Sequence, residues 1–118
     1  MDAGAIEPYR LDLELIRETA ERIIKDFDLF GFSILFSGKE EKAYQELNEQ
    51  LVPVFNELLK NNRQKVMRML YVIDISEDKL SAMIKKHPNE KLEIIISHLV
   101  IERELQKVIT RRVFSKKD

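Results

Sequence analysis

The sequence predicts an all-α domain: a four- to five-helix bundle with long first, second and last helices and two short helices between them. Three observations carry that expectation. Among 118 residues only 3 are glycine and 3 are proline, so turns are few and elements are long. Apolar side chains recur at spacings of three and four through most of the chain, the period of a helix face. Charged residues, 35% of the total with both signs mixed, fill the positions between them, as on the solvent side of amphipathic helices.

Leu13, Ile16, Ala20, Ile23, Phe27 and Phe30 form the stripe of a first helix from about Tyr9 to Phe30. Pro8 suits its first turn, and Gly31 can supply the left-handed cap that stops it. Phe32, Ile34 and Phe36 then alternate with Ser33, Leu35 and Ser37, a strand-like period. A lone strand has nothing to pair with. Two readings follow: a connector pressing its large side chains onto the core, or a hydrophobic lip that pairs with another chain. Phe32, Ile34 and Phe36 are therefore candidate partner-binding residues.

Ser37-Gly38-Lys39-Glu40 has capping-box spacing, so a second helix is expected from near Gly38. Ala43, Leu47, Leu51, Val54 and Leu58 continue it. Pro53 lies inside and removes one backbone hydrogen bond; because the stripe resumes in phase, it predicts a kink near Asn48–Gln50 and no break. Asn61-Asn62 reads as a turn. A short helix follows from about Arg63 to Ile73. Asp74-Ile75-Ser76 interrupts it, and Ser76 can cap another helix whose first turn holds Glu77 and Asp78. His87-Pro88-Asn89 ends that one.

The last helix is expected from about Asn89 to Arg112 or Val113. Its middle, Ile94 to Ile101, is apolar nearly all round, the mark of a helix touched on several sides. Leu92, Ile95, Leu99, Glu102, Gln106 and Ile109 keep helical order along it. The whole chain, 1–118, reads as one domain, with 1–8 and 114–118 expected to be flexible.

Several chemistries find no support. The chain has no cysteine, which excludes disulfides, zinc–thiolate sites and a cysteine nucleophile. Asp74, Ser76 and Asp78 begin like a calcium loop, but Lys79 stands where glycine is needed and Lys85 where glutamate is needed. No glycine-rich phosphate loop is present. His98 and Glu102, four residues apart, are a fragment of a metal site or an acid–base pair; they are also what a buried histidine needs to satisfy its ring nitrogens, and a core or interface histidine is the preferred reading. His87 is a turn residue. Asp26 and Asp28 lie on different faces of their helix and form no acid–base pair. The expectation is accordingly a non-enzyme with no cofactor and no catalytic or metal residues. The first residues lack a secretory pattern, and no apolar run approaches the ~20 residues of a membrane span, so the cytoplasm is the expected compartment.

Charge is unevenly spread. Residues 1–30 carry a net −4, residues 31–100 are balanced, and residues 101–118 carry +3. The two ends can attract each other, within the fold or between subunits. Arg103, Lys107, Arg111 and Arg112, with Lys116 and Lys117, are the candidate nucleic-acid contacts. The opposing reading is that cations near a helix C-terminus are favoured by its dipole. Residues 66–86 have the outline of a helix-turn-helix, but Glu77 and Asp78 stand where the groove would be entered and would repel phosphates.

The segments Leu70-Tyr71-Val72-Ile73-Asp74-Ile75-Ser76-Glu77 and Ile101-Glu102-Arg103-Glu104-Leu105-Gln106-Lys107-Val108 resemble a group of small all-helical bacterial proteins without an assigned activity. The likeness also touches Phe36-Ser37-Gly38. It implies a bacterial cytoplasmic helical protein and transfers no functional residue. The leading expectation is a helical protein–protein interaction module that self-associates, as a homodimer or with another protein. The alternative is a nucleic-acid-binding regulator that uses the basic last helix.

Overall fold

Helix α5 (Leu92–Ser115) is the axis of the molecule, and every other helix rests on it: α1 (Ala3–Leu29), α2 (Ala43–Asn61), α3 (Arg63–Ile73) and α4 (Glu77–Lys86). The computed structural model describes the backbone of residues 3–115 and the side chains of residues 12–114. Among these residues there is no strand, and the all-α bundle with three long and two short helices is as the sequence predicts. The ends expected to be flexible lie partly outside the described residues. Inside them, α1 already begins at Ala3, so Pro8 falls beyond the first turn.

The core follows from the apolar stripes. Ile23 and Phe27 of α1, Leu47, Leu51 and Phe55 of α2, Met69 and Ile73 of α3, and Ile96, Leu99 and Val100 of α5 are all buried in one cluster. Phe27 is its aromatic centre. Its ring meets Phe55 edge to face at 5.9 Å and Phe30 edge to face at 6.0 Å, the geometry the ring quadrupoles favour. Gly31, at φ +92°, ends α1 as expected. The turn lets the Phe32 amide donate to the Phe27 carbonyl at 2.8 Å, which satisfies a carbonyl left free at the helix end.

The segment after Gly31 is extended, and its partner is unusual: side chains of α2 replace a neighbouring strand. The Leu35 amide donates to Gln50 Oε1 at 2.8 Å, and Gln50 Nε2 donates back to the Leu35 carbonyl at 2.7 Å. Two residues on, the Ser37 amide donates to Glu46 Oε1 at 3.0 Å and its hydroxyl donates to Glu46 Oε2 at 2.6 Å. Positions two apart in a strand thus match positions four apart on a helix. Ile34 is buried, and Phe32 and Phe36 pack against the core. The connector reading describes this segment; the three apolar residues proposed for a partner face inward, and Leu35 is the exposed one at 73%. Gln50→Ala removes both bonds to Leu35. It is expected to cost about 1 kcal/mol of stability and to speed amide exchange at Leu35; unchanged exchange there would refute the pairing.

Two local expectations are corrected. Ser37 does not form a capping box, because its hydroxyl is held by Glu46; a 3₁₀ turn at Glu40–Lys42 precedes α2 instead. The last helix starts at Leu92, later than Asn89, after a turn in which the Glu90 amide donates to the His87 carbonyl. The Ser76 cap is as read, and Asn62, read as a turn residue, is a cap as well. Helix α2 runs unbroken through Pro53. Asn62 and Ser76 each accept an amide hydrogen at the start of α3 and α4.

Candidate acid–base site between the first and last helices

Along α5 the buried residues Ile96, Val100, Glu104 and Val108 follow one another at four-residue spacing. Glu104 therefore occupies a core position and is 0% exposed. Helix α1 lies over it. Arg22 Nε and Lys107 Nζ each reach Glu104 Oε1 at 3.3 Å. Asp26, one helical turn after Arg22, stands beside the carboxyl. The other oxygen, Oε2, has no hydrogen-bond partner among the described residues. Burial first, and the neighbouring Asp26 second, push the Glu104 carboxyl up to about 7, against the smaller opposing effect of Lys107.

Above this pair is a cleft of about 720 Å³ between α1 and α5, lined by Glu18, Arg22, Lys25, Asp26, Arg111 and Arg112 among others. Asp26 faces the cleft and Glu104 lies beneath it. At one end Arg112 donates to Glu14 at 3.0 Å and to Glu18. The Arg112 guanidinium holds the Glu18 carboxyl below its ordinary range, and the two acids hold the guanidinium protonated. The attraction between the acidic and basic ends is thus realised within one chain.

The four predicted nucleic-acid contacts among the described residues, Arg103, Lys107, Arg111 and Arg112, do not form one stripe. Arg103 binds Asp74 at the end of α3 through Nη2–Oδ2 at 2.8 Å. Lys107 binds Glu104, and Arg111 and Arg112 line the cleft. Lys116 and Lys117 lie outside the described residues. His98 is half-exposed, not a core residue. Its Nδ1 is 2.9 Å from the Tyr44 hydroxyl, and its Nε2 is 3.2 Å from Glu102 Oε2. Burial, then Glu102, raises the Tyr44 hydroxyl above its ordinary value.

Reasoning along the chain missed Glu104 and Asp26 as a pair because they belong to different helices. A signal existed. Extending the apolar run 96–100–104–108 puts a carboxylate where a hydrophobe belongs; following Glu102, Gln106 and Ile109 leads instead to the outside, where Ile109 is 41% exposed.

Fold and site together define a helical bundle with a buried glutamate, titrating in the neutral range, under a charged cleft. A family model described as IPP transferase matches residues 17–116, and the chain belongs to that family. No curated protein and no solved structure matches it. The matched span contains Arg22, Asp26, Glu104 and Lys107. It corrects four expectations. The family is a named one with a known activity, not a group without one. It is a family of transferases, so the non-enzyme reading fails. The non-enzymatic interaction module falls with it, and the nucleic-acid-binding regulator finds no support. The physical reason is that the groups capable of proton chemistry come together only across helices. No helix among the described residues is long and apolar enough to cross a membrane.

Proposed function

We propose that the chain works in the transfer of a prenyl group from its diphosphate to tRNA, and that the α1–α5 cleft is its acid–base site. The transfer breaks the bond between the prenyl carbon and the diphosphate oxygen. It forms a bond from that carbon to a nucleophilic atom of the acceptor, which gives up a proton. The Asp26–Glu104 pair is suited to take that proton, with Asp26 at the cleft and Glu104 holding it below. A base is most effective when it titrates near the working pH, and Glu104 does so. That single observation carries the reading. The departing diphosphate is anionic, and Arg22, Lys25, Arg111 and Arg112 place positive charge along the same cleft, where it offsets developing negative charge.

Labelled prenyl diphosphate and tRNA incubated with the purified protein test this. Glu104→Gln and Asp26→Asn are each expected to reduce incorporation by roughly 10²- to 10⁴-fold. In the unsubstituted protein incorporation should rise with pH through about 7, as Glu104 becomes able to accept a proton. Full incorporation by both variants would overturn the assignment.

A further inference from the structure

We propose that the extended segment 32–37 pairs, antiparallel, with the same segment of a second copy of this chain. Along a strand, successive residues turn their amide and carbonyl groups to opposite edges. Leu35 turns both of its groups to Gln50, and Ser37 turns its amide to Glu46; that edge is closed by α2. Ile34 and Phe36 therefore face the other edge. Neither their amides nor their carbonyls meet a protein group among the described residues. Their side chains serve the core, while their four backbone groups stay open to water or to another strand.

A second copy fits this edge because the edge is its own complement. With Leu35 of each copy beside the two-fold axis, Ile34 of one faces Phe36 of the other, and Phe36 faces Ile34. Those are the hydrogen-bonded pairs of an antiparallel ladder, and the Leu35 pair between them is a non-hydrogen-bonded one. All the open groups of both copies are then used, in the self-matched pattern of a two-fold interface. The two Leu35 side chains meet on the outer face with Cβ atoms about 5 Å apart, which takes from water an apolar side chain that is 73% exposed. Nothing guards the edge: residues 32–37 include no charge and no proline, the usual obstacles to edge pairing. The whole chain carries a net charge of only −1, so two copies repel each other weakly. Four hydrogen bonds and one leucine pair are a small contact set against the cost of association. The dimer is therefore weak, with a dissociation constant of roughly 10 μM to 1 mM, and dilute solutions hold the monomer. This pairing is independent of prenyl transfer.

The chain has no cysteine, so Leu35→Cys and Ser33→Cys each place a single thiol on the outer face. Beside the axis the two Cα atoms stand about 4.5 Å apart, within disulfide reach. The two Ser33 positions are four residues out of line, about 13 Å apart. Under mild oxidation at high protein concentration, Leu35→Cys is expected to cross-link at least tenfold faster than Ser33→Cys. Amide exchange of the unsubstituted protein gives a second readout. Ile34 and Phe36 should gain protection as concentration rises, while Leu35 and Ser37, closed by α2, should not change. Leu35→Lys sets like charges opposite each other and should abolish both that protection and the dimer seen in sedimentation. Its melting midpoint in dilute solution should match the unsubstituted protein, because Leu35 is exposed in the monomer. Equal cross-linking by the two cysteine variants would mean parallel pairing or random collision, and overturns the proposal. So does exchange at Ile34 and Phe36 that ignores concentration, which would leave the edge to water or to a strand of another protein. Sedimentation of Leu35→Lys as a dimer would put the contact elsewhere on the surface and overturn it too.

Discussion

Glu104→Gln is expected to flatten the pH dependence of stability by about 3 kcal/mol between pH 5 and pH 8. The sign follows from proton uptake. Unfolded, the carboxyl titrates near 4.5; folded, it titrates at about 7. Between those values the folded protein holds a proton that the unfolded chain has released, so stability falls as pH rises across the window. The contribution is fully present below 4.5 and is gone once the pH has passed about 7. Each pH unit of difference corresponds to about 1.4 kcal/mol, which gives the order of magnitude. Glutamine keeps the shape and donates a hydrogen bond at every pH, so the variant should lack this slope. Urea unfolding of both proteins at the two pH values reads the difference. Parallel slopes would mean that Glu104 is not the group that burial has shifted, and the acid–base site would lose its base.

Phe27→Ala is expected to destabilise the protein by about 4 kcal/mol, the usual range for deleting a buried ring. Phe27 is fully buried and its ring lies beside those of Phe30, Phe32 and Phe55. No single neighbour can move to fill the hole, because those rings come from the turn after α1, the connector and α2. For a domain of this size that is a large fraction of the total, and the melting midpoint should drop by roughly 15 °C. Leu35→Ala is the control. Leu35 is equally apolar but lies in water, so its loss should change stability by less than about 0.5 kcal/mol. Circular dichroism melts of both variants decide it; similar midpoints would show that Phe27 does not join the helices as described.

The Gln50–Leu35 pairing marks the limit of what pattern alone reveals. The alternation of Phe32, Ile34 and Phe36 correctly marks an extended segment. A strand is stable only with a partner, and nothing in the order of residues says that Gln50 and Glu46 will serve as one. The capping-box spacing at Ser37 misleads for the same reason. Its hydroxyl has two local uses, and the position of α2 decides between them. At Ser76 no distant group competes, and the cap forms as spaced.

The sequence by itself determined the helices, their order, the buried stripes and most of the caps, because each depends on residues within a turn or two of one another. Only the tertiary structure decided which charged groups meet. Glu104 becomes a neutral-range acid because α1 closes over it and carries Asp26 to its side; the same glutamate on an uncovered helix would be one more solvated carboxylate. Local periodicity governs winding, whereas desolvation and the approach of a second charge arise only when helices pack.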